Sequence, residues 1–179
     1  MSQSRLFFAL WPPSQIREQL AAAGAALCLS APARAVSADR FHLTIGFIGE
    51  VPVDSVARVR RIGRELRASA FAISLDAYEY WPKPQVVVAA ARLIAPELQG
   101  LSDDLHRALA AEGFDPRVKR LRPHVTLAQR VAADPQLPTF TAFAWIARDF
   151  CLVQSPTGAD QGGYTVVDTW PLLDKADDA

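Results

Sequence analysis

Two tetrapeptides, His42-Leu43-Thr44-Ile45 and His124-Val125-Thr126-Leu127, repeat one pattern of histidine, apolar residue, threonine and apolar residue, 82 positions apart. Side chains on a β-strand alternate between its two faces. Each tetrapeptide therefore turns its apolar pair into a core and sets an imidazole and a hydroxyl side by side on the other face. Extended over residues 41–47, the first copy predicts Phe41, Leu43, Ile45 and Phe47 on the buried side and His42, Thr44 and Gly46 opposite. Whatever fold the chain adopts must supply two half-buried strands whose polar faces stay open.

The segments around these strands mix both kinds of element. Residues 5–10 are an apolar run closed by Trp11-Pro12-Pro13 and read as a buried strand. Residues 14–29 carry Ile16, Leu20, Ala23 and Leu27 at helical intervals, residues 54–67 carry Val56, Val59, Ile62 and Leu66, and residues 96–112 carry Leu98, Leu101, Leu105 and Leu109 before Gly113. Asp54 or Ser55 is the expected cap of the second helix. Residues 71–80 and 85–93 are β-prone and joined by Trp81-Pro82-Lys83-Pro84, which predicts a hairpin. A last β-rich portion runs from Phe140 through Leu152 to residues 164–172, interrupted by Ser155-Pro156-Thr157-Gly158 and Gly162-Gly163. Strands are joined by hairpins as well as helices, so the class is α+β rather than a doubly wound sheet. No linker or low-complexity stretch divides the chain, and residues 1–179 are expected to form one domain.

Composition narrows the partners. The 179 residues are 50% apolar, enough for a core, and 19 basic residues balance 19 acidic ones, so no global pull toward long nucleic acid is expected. Cys28 and Cys151 have neither metal-ligand nor redox spacing, which fits a reducing cytoplasm. The apolar run at residues 20–29 is too short to cross a bilayer, and no signal peptide or membrane association is expected. The three histidines lack zinc spacing, and the glycines match neither a P-loop nor a dinucleotide fingerprint, so the expectation is no metal and no cofactor.

Paired imidazoles suit phosphodiester hydrolysis. A group with an ordinary pKa of about 6.5 accepts or donates a proton near neutrality, and two of them do both in one turnover. One takes a proton from water while the other protonates the departing oxygen. Threonine hydroxyls hydrogen-bond the non-bridging oxygens where charge builds.

The segments RLFFALWPP, FHLTIGFIGEV, WPKPQVVVAA, RPHVTLAQR and LVQSPTG…GGYTVVDTWPL, in that order, resemble the 2H phosphoesterase superfamily, and within it the LigT-like RNA 2′,3′-cyclic phosphodiesterases. The resemblance spans nearly the whole chain. It implies two pseudo-symmetric lobes of antiparallel sheet with outer helices, facing across a central cleft. It further implies that His42 is the proton donor to the leaving 3′ oxygen and His124 the base that activates water, that Thr44 and Thr126 hold the phosphate, and that a 2′-phosphate results. Members often read His-x-Thr-Leu-Ala-Arg, whereas this chain has Gln129 there and Arg130 next. On a regular strand Arg130 would share the face of His124 and Thr126, as a phosphate contact, while Gln129 turned away; a solvated strand end is the alternative.

The expected partners are RNA or oligonucleotide ends, met by a monomer, with weak reverse 2′-5′ ligation allowed by microscopic reversibility. Two readings stand beside this one: a related two-histidine phosphodiesterase acting on small cyclic nucleotides or 2′-5′ oligonucleotides, and a non-catalytic RNA or nucleotide-binding module. His106, on the third helix without a strand hydroxyl beside it, is expected to be solvent-exposed or partly packed. Arg58, Arg60, Arg61, Arg64 and Arg67 make the second helix basic, and Arg117, Lys119, Arg120 and Arg122 form a patch that runs into the second motif, where further RNA phosphates could bind.

Overall fold

The computed structural model describes residues 3–30, 32–115, 120–132, 135–156 and 163–174. Strand β1 (Gln3–Leu10) ends at the proline pair, and helix α1 (Ser14–Ser30) opens with the Arg17 N–H donating to the Pro13 carbonyl at 2.9 Å. The short strand β2 (Arg34–Ala35) and a 3-10 turn (Ala38–Arg40) lead to β3 (Leu43–Pro52). Helix α2 (Val56–Glu65) starts through a 3-10 turn (Val53–Ser55) with no side-chain cap from Ser55, which itself adopts helical backbone, so the turn does the work assigned to a cap. There follow β4 (Phe71–Leu75), β5 (Ala77–Trp81), β6 (Val86–Ala90), helix α3 (Pro96–Ala111), β7 (His124–Gln129), β8 (Phe143–Ala147), β9 (Asp149–Ser155) and β10 (Thr165–Pro171).

The fold is α+β, as the mixture of connections predicts. Two four-stranded sheets, ordered β10-β9-β1-β3 and β2-β7-β6-β5, are antiparallel throughout, and β4 pairs with β8 in a third, smaller sheet. The predicted strand over residues 71–80 is in fact two. Asp76 breaks it: its N–H bonds the Ala90 carbonyl at 2.9 Å while its carboxylate accepts from Arg92 N–H at 3.0 Å, and the chain changes partner from β8 to β6 there. The turn-rich residues 157–162, Arg117 and Lys119 lie outside the described residues.

Two of the helices, α1 and α3, each back the histidine-motif strand of the other sheet. Helix α1, which follows β1, packs on β7, while α3, which precedes β7, packs on β3. Both contacts are close: a Cβ at Gly24 would lie 3.0 Å from the Leu127 carbonyl oxygen, and one at Gly46 would lie 2.5 Å from Leu105 Cδ2. A continuous core holding Leu6, Phe8, Leu43, Ile45, Leu105 and Leu127 joins helices and sheets. The exchange ties the sheets into one packing unit, with β3 against β7. Most cations of α2 are engaged within the fold: Arg60 bonds Asp168 at 2.9 Å, Arg61 bonds Glu112 at 2.8 Å, and Arg58 lies 4.7 Å over the Phe114 ring.

Candidate active site

β1–β3 and β6–β7 are two versions of one unit, and both break register immediately after the threonine. Opposite Phe8 and Ala9 stand Gly46 and Thr44, and opposite Val87 and Val88 stand Ala128 and Thr126. Ile45 and Leu127 are thus the extra residues of two equivalent β-bulges. The carbonyl that such a residue cannot give to the ladder is satisfied elsewhere. Ile45 O accepts from the buried Ser102 hydroxyl of α3 at 2.9 Å, and Leu127 O accepts from Val36 N–H at 2.8 Å.

A bulge reverses the alternation beyond it. Burial along β7 runs half-buried His124, buried Val125, half-buried Thr126, then buried Leu127 and Ala128 in succession, with Gln129 exposed. The residue sharing the face of His124 and Thr126 is therefore Gln129, and the regular-strand placement of Arg130 does not hold. Arg130 lies just past the strand with φ of 54° and is exposed. The same slip corrects Phe47, which sits on the side of His42 and Thr44, stacked on Phe7 at 5.9 Å and 6°, while Gly46 goes under Leu105. Facing Gln129 across the ladder is Arg34 of β2. Direct antiparallel partners share a face, so Arg34 puts a guanidinium beside the position that the sequence fills with a neutral amide.

The imidazoles are mounted identically. His42 Nδ1 donates to the Arg40 carbonyl and His124 Nδ1 to the Arg122 carbonyl, each at 2.7 Å. A carbonyl only accepts, so Nδ1 carries a proton in both rings and Nε2 is the atom available to a substrate. His42 sits among Phe7 (4.9 Å), Trp11 (5.6 Å) and Tyr164 (5.0 Å). His124 lies 4.5 Å from the Trp81 ring, whose other neighbour is the Arg122 guanidinium at 4.5 Å. Glu79 fixes that stack, accepting from Trp81 Nε1 at 2.8 Å and from Arg122 at 2.7 Å.

Burial lowers the pKa of both imidazoles, against the raising effect of the carbonyl that each Nδ1 bonds. The His124 charge lowers His42 further; Arg122 lowers His124 and Glu79 raises it. A positive charge on His124 thus disfavours one on His42. Such a pair holds one proton more readily than two, the state in which one member is acid and the other base. Cys151, on the same face as Phe7 and Ala9, is no competing nucleophile: its thiol donates to the Ala9 carbonyl at 3.4 Å, and burial pushes its pKa up to about 12.

A cavity of about 440 Å³ opens beside the dyad, lined from both sheets by Thr44 and Phe47 on one side and Trp81 and His124 on the other. His42 and Thr126 are not among its lining residues. His106 is, as a partly packed ring: Nδ1 donates to the Ser102 carbonyl at 2.6 Å and holds the ring beside Gly46. His106, Phe47 and Trp81 had no distinguishing pattern in the sequence. Arg34 had none either, and only the β2–β7 register brings it to Gln129. Among the described residues no helix is long and apolar enough to cross a membrane.

The family described as LigT like Phosphoesterase matches residues 10–88 of the chain. The RNA 2′,3′-cyclic phosphodiesterase of Escherichia coli (strain K12) is 29% identical over 170 residues, covering 94% of this chain and 96% of that protein. The protein of the same description from Aeropyrum pernix is 34% identical over 110 residues, 60% of this chain and 62% of the other. The crystal structure of E. coli LigT complexed with 3′-AMP has a TM-score of 0.85 at 28% identity, covering 96% of this chain and 99% of that one.

Proposed function

We propose that this chain, which belongs to the LigT-like phosphoesterases, is an RNA 2′,3′-cyclic phosphodiesterase that works with two imidazoles and no metal step. The observation that carries the mechanism is the doubled mount: two histidines, one immediately before β3 and one opening β7, each with Nδ1 pinned to a carbonyl at 2.7 Å and a threonine two residues on. His124 Nε2 takes a proton from water as its oxygen bonds phosphorus. His42 Nε2 gives its proton to O3′ as the P–O3′ bond breaks, and the product is a 2′-phosphate beside a free 3′-hydroxyl. The protons return through solvent, and with a 5′-hydroxyl in place of water the same displacement, P–O bond made to that oxygen and P–O3′ bond broken, joins a cyclic end as a 2′-5′ link without nucleotide cofactor. Thr44 and Thr126 donate to the non-bridging oxygens.

Arg34 supplies the charge that Gln129 lacks, and Arg130 is left an outer contact from the turn. Arg34→Ala is expected to raise KM about tenfold, the effect of losing a charge-assisted hydrogen bond. Adding Gln129→Arg should restore most of it, because that side chain leaves the same face. A KM unmoved by Arg34→Ala, or a double variant no better than the single, removes Arg34 from the site.

Incubating the protein with an RNA ending in 2′,3′-cyclic phosphate, in excess chelator, tests the main reading. A 2′-phosphate product is expected. A 3′-phosphate would reverse the leaving group, and activity lost to the chelator would refute the metal-free path. Turnover confined to mononucleotides or 2′-5′ oligonucleotides would move the substrate class. Free Cys28 and Cys151 suit work in a reducing cytoplasm.

A further inference from the structure

The cavity beside His124 is larger than the phosphate chemistry requires and is charged in a way the dyad does not explain. About 440 Å³ falls in the range that encloses a whole small ligand, about 300–1,000 Å³. Its lining includes Lys83, Arg120 and Arg122 and no carboxylate, in a chain of zero net charge. Arg122 is committed to Glu79 and Trp81. Arg120 and Lys83 are exposed and have no ion-pair partner among the described residues. Nothing in the acid-base chemistry of His42 and His124 uses either cation.

Their position gives them a use. His106 and Arg120 also line an adjoining depression of about 490 Å³ that contains neither His-x-Thr motif, so they stand where the cavity leads away from the dyad. His106 is half-buried, and with Nδ1 given to the Ser102 carbonyl its Nε2 is the remaining polar atom of the ring. In an RNA whose last ribose carries the cyclic phosphate, the next anion lies on the far side of that ribose, at its 5′ oxygen. A cavity with His124 and Thr44 on its walls, and with Arg120, which has no ion-pair partner among the described residues, where it runs into the second depression, matches two anions separated by a nucleoside.

Resting on the phosphodiesterase reading for the orientation of the end, we propose that Arg120, at the His106 wall of the cavity, forms a second phosphate subsite. It holds the 5′-phosphodiester of the terminal nucleotide, so the substrate class is oligoribonucleotide ends rather than nucleoside cyclic phosphates. The subsite discriminates by charge and not by base, since a phosphodiester is the same in every sequence.

Binding reads this without turnover. Wild-type protein is expected to bind a dinucleotide ending in 2′-phosphate about ten- to a hundredfold more tightly than a nucleoside 2′-phosphate, the range of a hydrogen bond to a charged group. Arg120→Gln should bring the two affinities together, leaving that of the nucleoside 2′-phosphate and the melting temperature unchanged. Arg64→Gln, which takes a cation from α2, should leave the preference intact. Equal binding of both ligands by wild type, or an equal loss of both in Arg120→Gln, overturns the proposal. A retained preference without hydrolysis of either cyclic phosphate would support the subsite while refuting the phosphodiesterase reading.

Discussion

His42→Ala and His124→Ala are each expected to lose about 10²–10⁴-fold in kcat, the usual contribution of a positioned acid or base, with little change in melting temperature. Both rings are half-buried at the open faces of their sheets, while the continuous core runs beneath through Leu43, Ile45, Val125 and Leu127. Truncation therefore opens space toward the cleft instead of leaving a closed cavity. Since one proton is delivered as the other is removed, the double variant should be scarcely worse than either single one. A melting temperature lowered by many degrees would make the ring a packing element and remove the inference from its lost rate.

The pH profile sharpens this result. Both pKa values are lowered by burial, so free enzyme at pH 7 holds mostly neutral imidazoles, and the alkaline limb of kcat/KM is expected below the ordinary value of about 6.5. A bound anionic phosphate favours imidazolium and must raise both values. The alkaline limb of kcat therefore lies at higher pH than that of kcat/KM. Glu79 raises the His124 pKa, so Glu79→Gln should move the His124 limb toward acid. If His124 is the base, the moving limb is the acidic one; a shift of the alkaline limb would exchange the two roles.

Much of this was legible in the sequence because hydrophobic periodicity reports which side of an element is covered. The helices from Ser14, through Val56 and from Pro96, and the strands around both motifs, follow from it. What it does not report is a slip in register. The bulges at Ile45 and Leu127 lie where α3 and α1 approach Gly46 and Leu127 closely, from elements distant in sequence. No local pattern carries those long-range contacts, so strict alternation misplaced Phe47 and set Arg130, instead of Gln129, beside His124. The arginine two residues before each histidine is visible in the chain, yet what fixes the ring is its backbone carbonyl, which any residue could offer. Asp76, where one predicted strand becomes two, likewise acts through its bonds to Ala90 and Arg92.

The threonines carry the second large effect. Thr44→Val and Thr126→Val keep the shape and β-branching of the side chain, so strand propensity and packing are retained while one hydroxyl is lost. Removing a donor aimed at developing negative charge costs up to about 10²–10³-fold in kcat where the site is dry. Both threonines are only half-buried, so about 10²-fold for each is expected, expressed in kcat more than in KM. Serine restores the hydroxyl without the methyl, so Thr44→Ser and Thr126→Ser should recover most of the rate if hydrogen bonding is the cause. Were the valine variants active and the serine variants impaired, the threonines would serve the strand and not the phosphate. The bulge also predicts an asymmetry between neighbours: Leu127→Ala, one residue beyond Thr126 but wholly buried under α1, should lower the melting temperature far more than Thr126→Val does. Adjacent positions on one strand would then divide cleanly, one read in rate and the other in stability.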